Sequence, residues 1–264
     1  MFLPQWRLSV RNLVNAITKQ SQQKQRQFIL KRYVAEYLRY RPLLETAPIR
    51  EAIEKMRLPG YPYCHPEEGD LLYLLLQEIE GEACLEMGFH TGSTALYMSN
   101  AVAARDGRVT SVCLDVGKDA TRGKKLLSDN GFSARHRLIQ INSNRAVPEL
   151  FLANEKFDFI FMDGWKTLDH LMMELYYINQ MLRTGGAIVF DDSFMPSVRA
   201  AIRLLKRYYG YTEVDYKMYR QTKKLRLFQI LTSRTLYRPY RALIKSVDTE
   251  AQIPIRDWHF YRPV

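Results

Sequence analysis

The stretch Ala83-Cys84-Leu85-Glu86-Met87-Gly88-Phe89-His90-Thr91-Gly92-Ser93 decides the fold of this chain. It begins as an apolar run, becomes acidic at Glu86, passes through a loop with two glycines and leads into a segment of helical spacing. Such an order is typical of the carboxyl edge of an open α/β sheet, where a strand-to-helix turn exposes backbone amides. We therefore expect a ligand on residues 86–93.

The rest of the chain repeats this strand and helix order, which predicts βαβ units and a parallel sheet with helices on both faces. Strands buried on both faces are short and apolar. Five strands are predicted, at residues 83–87, 109–115, 137–142, 157–163 and 187–191. Five helices are predicted between or after them, at residues 94–104, 118–130, 146–153, 169–182 and 198–209. A hairpin of strands at residues 211–216 and 225–231 would complete seven strands.

Three segments differ in charge, although the chain of 264 residues has a formal net charge of +11. Lys and Arg against Asp and Glu number 12 to 4 in residues 1–60, 12 to 19 in 61–198 and 15 to 5 in 199–264. The basic flanks suit a solvated surface, and an anionic partner would meet them rather than the acidic middle. No recognised RNA-binding module is visible, so nucleic acid is not the expected partner.

The chain divides into a helical N-terminal extension over residues 1–69, a central domain over 70–232 and a tail over 233–264. The apolar spacing in residues 3–17 predicts a helix that packs on the domain or forms a homodimer contact, as the tail also can. Three cysteines argue against a disulfide framework or a zinc site. Without a membrane-length apolar run or a signal peptide pattern, we expect a cytoplasmic protein.

The glycine spacing separates two kinds of nucleotide ligand. A dinucleotide fingerprint that begins at Gly88 would need a glycine at position 90, which is His90. Gly88 and Gly92 after Glu86 instead resemble the loop of methyltransferases that use S-adenosylmethionine (SAM), with His90 and Ser93 beside it. A purely structural turn remains the alternative.

Two further strand ends favour SAM. Asp115 ends the second strand, where an acidic side chain can accept hydrogen bonds from both ribose hydroxyls. Asn142 and Ser143 follow the third strand, where methyltransferases often contact the adenine. An ordinary helix cap explains this last pair equally well.

Three carboxylates follow the fourth and fifth strands, at Asp163, Asp191 and Asp192. Crowded acidic side chains raise one another's pKa unless a cation compensates, and a hard divalent ion such as Mg²⁺ prefers oxygen ligands. Helix caps or turns are the alternative for each residue taken singly. Together the three predict a metal site beside the cofactor.

The segment Asp163-Gly164-Trp165-Lys166 resembles the Asp-His-Trp-Lys segment of the catechol O-methyltransferase family. That resemblance implies that Asp163 contacts the cofactor and binds Mg²⁺. It also implies that Asp191 and Asp192 complete the metal site and that Lys166 is the general base. The wider pattern also resembles bacterial small-molecule and sugar O-methyltransferases. It implies a class I SAM-dependent methyltransferase with a Rossmann-like, seven-stranded, mostly parallel sheet whose last strand is antiparallel.

Two departures leave the base open. Many bacterial relatives have a histidine at the position of Lys166, and Gly164 replaces the histidine of the catechol enzymes. A lysine acts as a base only in its neutral form, and His170, one turn further on, is the alternative. The sequence thus predicts methyl transfer to a hydroxyl of a small molecule. An RNA methyltransferase and a non-catalytic scaffold of the same fold are the competing hypotheses.

Overall fold

The computed structural model describes residues 44–59, 61, 63–114, 117–214 and 240–247. Seven helices and seven strands lie within these ranges. The helices are α1 Ala47–Met56, α2 Pro66–Glu78, α3 Ser93–Val102, α4 Lys118–Asp129, α5 Ser143–Leu152, α6 Leu168–Met181 and α7 Pro196–Tyr208. The strands are β1 Ala83–Met87, β2 Arg108–Val112, β3 His136–Ile139, β4 Phe157–Met162, β5 Leu182–Phe190, β6 Tyr211–Val214 and β7 Arg241–Lys245.

The seven strands form one sheet in the order β3-β2-β1-β4-β5-β7-β6. The neighbouring pairs from β3 to β5 are parallel, and β7 is antiparallel to both β5 and β6. The chain order reverses between β1 and β4, where the connections leave opposite faces, and ligands of open α/β sheets bind at such a point. The predicted Rossmann-like sheet with an antiparallel last strand is confirmed.

The position of the seventh strand differs from the prediction. The strand candidate at residues 225–231 lies outside the described residues, and β7 falls in the segment 233–264 that the sequence assigned to a tail. Strand β7 lies between β5 and β6, and its residues Ala242 and Leu243 are fully buried. Its last side chain, Lys245, is buried as well and donates hydrogen bonds to the carbonyls of Asn179 (2.6 Å) and Leu182 (2.9 Å). Because a lysine is not typical of a buried strand, the sequence pattern did not indicate β7.

Helices cover both faces of the sheet. On one face, the buried side chains of α5, α6 and α7 pack against Ile160, Ile188 and Leu243. On the other face, α2 and α3 pack against Phe159 and Val189. Helix α2 spans residue 70, which the sequence proposed as the start of the central domain, and its leucines belong to the core. These buried leucines lie in the predicted central domain, and the first turn of the same helix, residues 66–69, belongs to the predicted extension.

Within the described residues, no helix combines the length and the apolar character that a membrane crossing requires. The helical patterns predicted in residues 1–43 lie outside the described part of the chain.

Candidate active site

The loop between β1 and α3 has a backbone that requires glycine at two points. Gly88 has φ +99°, and a Cβ atom there would lie 2.4 Å from the backbone oxygen of Asp163. Gly92 has φ +73° and immediately precedes α3. Both values are in the left-handed region that side chains disfavour. The close approach of Gly88 to Asp163 brings the loop against the end of β4.

Glu86 lies beneath this loop rather than on its surface. Its side chain is fully buried and accepts hydrogen bonds from the hydroxyls of Thr94 and Ser111, the latter at 2.5 Å. Burial raises the pKa of Glu86 to about 8, although those two hydrogen bonds act to lower it. The predicted contact of Glu86 with the cofactor stays a prediction. In the structure its carboxyl group joins β1 to α3 and β2.

Two other predicted loop residues have polar contacts. The side chain of His90 is 47% exposed, and its Nε2 atom lies 3.7 Å from Asp119 Oδ2. Ser93 is buried, and its hydroxyl accepts a hydrogen bond from the backbone N–H of Cys64 at 2.9 Å. Ser93 therefore connects the loop to the segment that leads into α2.

The three predicted metal ligands come together at the ends of β4 and β5. Met162 and Phe190 are aligned in the pairing of these two strands, so the residues that follow them are neighbours. Asp163, Asp191 and Asp192 each offer an oxygen atom, and these atoms lie within 4.8 Å of one another. Such a group of hard oxygen donors fits a divalent cation.

Asp191 has the most perturbed acidity of the three. Burial is the main cause, and the charges of Asp163 and Asp192 add to it, so its pKa rises to about 7. The charge of Lys166 acts in the opposite direction but does not cancel the rise. A divalent cation would remove this repulsion, which supports the fit of the aspartates to a metal.

Lys166 lies behind the aspartates. Its Nζ is 2.8 Å from Asp163 Oδ1 and 3.8 Å from Asp192 Oδ2, and its side chain is only 13% exposed. A hydrogen bond of 2.6 Å from the Ser197 hydroxyl to the Lys166 carbonyl holds the backbone here. The structure thus brings Lys166 to the trio, as a cation paired with two of its members.

The cofactor loop and the aspartates share one cavity of about 550 Å³. The predicted site residues that line it are Gly88, His90, Ser93, Asp163, Asp191 and Asp192. Glu86, Gly92, Asn142, Ser143 and Lys166 are not part of its wall. Asp115 lies outside the described residues.

Asn142 and Ser143 begin helix α5. The Asn142 side chain caps the helix by accepting a hydrogen bond from the Asn144 backbone N–H at 3.1 Å. The Ser143 hydroxyl lies 2.6 Å from Nε2 of His170, and the same nitrogen lies 3.2 Å from Glu174 Oε1. The helix cap that the sequence offered as the alternative for this pair is thus present in the structure. Adenine contacts by this pair, and a base role for His170, stay predictions.

Sequence reasoning missed several residues of the cavity wall. They come from the segment before α2, from α2 itself, from the loop after β5 and from the residue before β7, and they are Tyr63, Cys64, His65, Glu68, Phe194 and Tyr240. Glu68 is the most unexpected, because it is an acidic residue with only 5% exposure. In sequence it looks like a common first-turn acidic residue that favours a helix N-terminus, so no pattern marks it as part of a site.

Residues 85–193 match the family model described as "Methyltransferase domain". This segment contains the loop, both carboxylate-bearing strand ends and Lys166. This segment of the chain is similar to a methyltransferase domain. The resemblance drawn from the sequence is thereby confirmed.

Two curated plant proteins are similar to this chain. Tricin synthase 2 from Oryza sativa subsp. japonica is 30% identical over 141 residues, which cover 51% of this chain and 46% of the relative. Caffeoyl-CoA O-methyltransferase from Pinus taeda is 28% identical, with 64% of this chain and 71% of the relative covered. The chain thus spans about half the length of the first of these relatives.

Solved structures share the fold of the methyltransferase domain at low identity. An O-methyltransferase from Bacillus cereus in complex with SAH is 18% identical, with a TM-score of 0.55 and coverage of 82% of this chain and 97% of that chain. An O-methyltransferase from Streptomyces achromogenes in complex with SAM is 17% identical, with a TM-score of 0.55 and coverage of 78% and 92%. These likenesses establish the fold.

Proposed function

We propose that this chain is a SAM-dependent O-methyltransferase that transfers a methyl group to a hydroxyl of a small molecule with the help of a divalent cation. The observation that carries the proposal is the single cavity lined by both the glycine loop and the aspartate trio. Methyl transfer needs a donor and a nucleophile side by side in one cavity.

The loop residues bind the donor. Gly88 presents backbone without a side chain to the cavity, and His90 and Ser93 line the same wall. Glu86 maintains this loop from below through its hydrogen bonds to Thr94 and Ser111. SAM and SAH in the structures of the two O-methyltransferases named above support this choice of donor.

Asp163, Asp191 and Asp192 orient the acceptor. SAM would supply the methyl group when bound, and a cation held by the three aspartates would lower the pKa of an acceptor hydroxyl and fix its position. The hydroxyl oxygen forms its bond to the methyl carbon as the sulfur–carbon bond breaks, which leaves SAH. Lys166 Nζ, 2.8 Å from Asp163 Oδ1, is the group that would accept the hydroxyl proton.

The experiment measures methyl transfer from labelled SAM to a panel of hydroxylated acceptors, with and without EDTA. Caffeoyl-CoA belongs in that panel because a relative is named for it. We expect transfer in the presence of Mg²⁺ and its loss with EDTA. Equal transfer with and without EDTA would contradict the metal-assisted mechanism, and transfer to RNA alone would favour the RNA methyltransferase hypothesis.

The cytoplasmic location and a homodimer through residues 1–69 or 233–264 stay predictions. Size-exclusion chromatography with light scattering tests the second of them. The absence of SAM binding in calorimetry would favour a non-catalytic scaffold.

A further inference from the structure

Glu68 is a fourth acidic residue of the cavity, and the mechanism above does not use it. It belongs to the first turn of α2 and lines the cavity, while only 5% of the residue is exposed. Its Oε1 atom is buried and has no hydrogen-bond partner among the described residues. A buried carboxyl oxygen without a partner is costly, which suggests that a ligand supplies what is missing.

The N-terminal turn of α2 is fixed against the cofactor loop. The backbone N–H of Cys64 donates to the Ser93 hydroxyl at 2.9 Å. Gly69 packs so tightly on the ring of Tyr97, in α3, that a Cβ atom would lie 2.3 Å from it. Glu68 lies between these two contacts along the chain, so it is held beside the loop that binds the donor.

Glu68 is also close to the aspartates, but it is not one of the group that fits a metal. Burial, followed by the charges of Asp191 and Asp163, raises the pKa of Glu68 well above its usual value. The group of oxygens within 4.8 Å of one another contains Asp163, Asp191 and Asp192 and not Glu68. Glu68 therefore lines the same cavity as the aspartates without belonging to their group.

The donor's reacting centre must occupy this cavity, because its methyl group has to face an acceptor held at the aspartates. In SAM that centre is a sulfonium, a permanent cation without a proton to donate, and in SAH it is a neutral thioether. A carboxyl oxygen that lacks a donor is well suited to a cation of this kind. A sulfonium beside Glu68 would favour the ionised form of its carboxyl group and be attracted by it, whereas the neutral thioether of SAH would do neither.

We propose that Glu68 binds the sulfonium of SAM and makes the site favour SAM over SAH. This inference rests on the proposed function. A purely structural role is the competing explanation, since Glu68 lies in the first turn of α2, where an acidic side chain favours the helix N-terminus. That role would affect folding but not the choice between the two molecules.

Calorimetric titration of the full chain with SAM and with SAH, in one buffer, tests the inference. Glu68→Gln removes the charge and keeps the shape, and Glu67→Gln, at an exposed neighbouring position, is the matched control. We expect Glu68→Gln to weaken SAM binding about tenfold, the order expected of one partly screened charge pair. SAH binding should change less than about threefold, and Glu67→Gln should change neither.

Each outcome is decisive. Equal weakening of SAM and SAH, or no change in either, would overturn the role of Glu68 and leave the proposed function intact. A wild-type chain that binds neither molecule would overturn the proposed function itself. If circular dichroism shows that Glu68→Gln does not fold, Glu68→Met, which removes the charge and suits a buried position, replaces it with the same expected ratio.

Discussion

Acidic side chains in two regions of this molecule have opposite surroundings. At the cavity, Asp163, Asp191 and Asp192 share one nearby cation, Lys166. At the far edge of the sheet, Glu213 alone forms ion pairs with both Arg241 and Lys206, each at 2.7 Å. Among the described residues, the three carboxylates of the first region face a single cation, whereas the one carboxylate of the second region is paired with two.

The pKa values of these acids follow this difference in surrounding charge. The pKa of Asp191 rises to about 7, because burial and neighbouring carboxylates disfavour its charge. The pKa of Glu213 falls to about 2, because hydrogen bonds from Arg241 and Lys206 outweigh the effect of burial. Glu213 is thus an acid that contributes to stability, whereas Asp191 is an acid whose charge the described residues do not compensate.

The largest effect should come from removing one aspartate of the cavity. We expect Asp191→Asn to lower kcat/KM for methyl transfer by about 1,000-fold, because the proposed cation site loses one of its three carboxylates. The melting temperature should rise or stay unchanged, because a repulsion is relieved. Steady-state kinetics and thermal unfolding measure the two quantities.

Asp158 provides the control for that variant. Its carboxylate accepts hydrogen bonds from the Ala83 and Glu82 backbone N–H groups and pairs with Arg183 at 2.7 Å. Asp158→Asn should therefore lower the melting temperature and leave kcat/KM within about twofold. A loss of stability in Asp191→Asn as large as in Asp158→Asn would remove the distinction between the two regions.

Lys166 should have the next largest effect. We expect Lys166→Met to lower kcat by about 100-fold, the scale of a lost general base, with little change in the affinity for SAM. The affinity for Mg²⁺ should stay unchanged as well. Lys156→Met, at an exposed lysine, is the control. Weaker Mg²⁺ binding in the variant would indicate that Lys166 only balances charge.

Glu86 should make stability depend on pH. Its pKa is raised to about 8 from 4.5, so its contribution to the free energy of unfolding is complete below about pH 4.5 and is lost as the pH rises through 8. We expect wild type to lose up to a few kcal/mol more than Glu86→Gln between about pH 5 and pH 8. Urea unfolding of both at each pH measures the difference. Parallel losses would show that Glu86 does not titrate in this range.

The smallest effect is expected at the paired edge. Glu213→Gln should cost about 1–2 kcal/mol in the free energy of unfolding at neutral pH and leave kcat unchanged. Because the pKa of Glu213 is lowered from 4.5 to about 2, its stabilising contribution is present above about pH 4.5 and disappears as the pH falls through 2. The gap between wild type and variant, measured by urea unfolding, should narrow on acidification. A gap that widens would contradict the pairing.

Patterns in the sequence predicted the parallel part of the sheet, since strands covered on both faces are continuous apolar runs, such as Phe157–Met162. Strand β7 could not be predicted in the same way. It is five residues long, and its buried end is Lys245, whose charge is accommodated only because two backbone carbonyls from other elements accept its hydrogen bonds. The contact partners of Lys245 are more than 60 residues away in sequence.

In the candidate site, too, the sequence determined some features and the tertiary structure determined others. The sequence alone determined that Asp163 and Asp191 meet, because each follows a parallel strand and those strand ends share one edge of the sheet. Only the tertiary structure decided which other residues join them. It placed Glu86 beneath the loop, Lys166 behind the aspartates and Glu68 in the cavity wall. Strand order is set by local apolar patterns, whereas the direction of a side chain depends on the packing of helices distant in sequence.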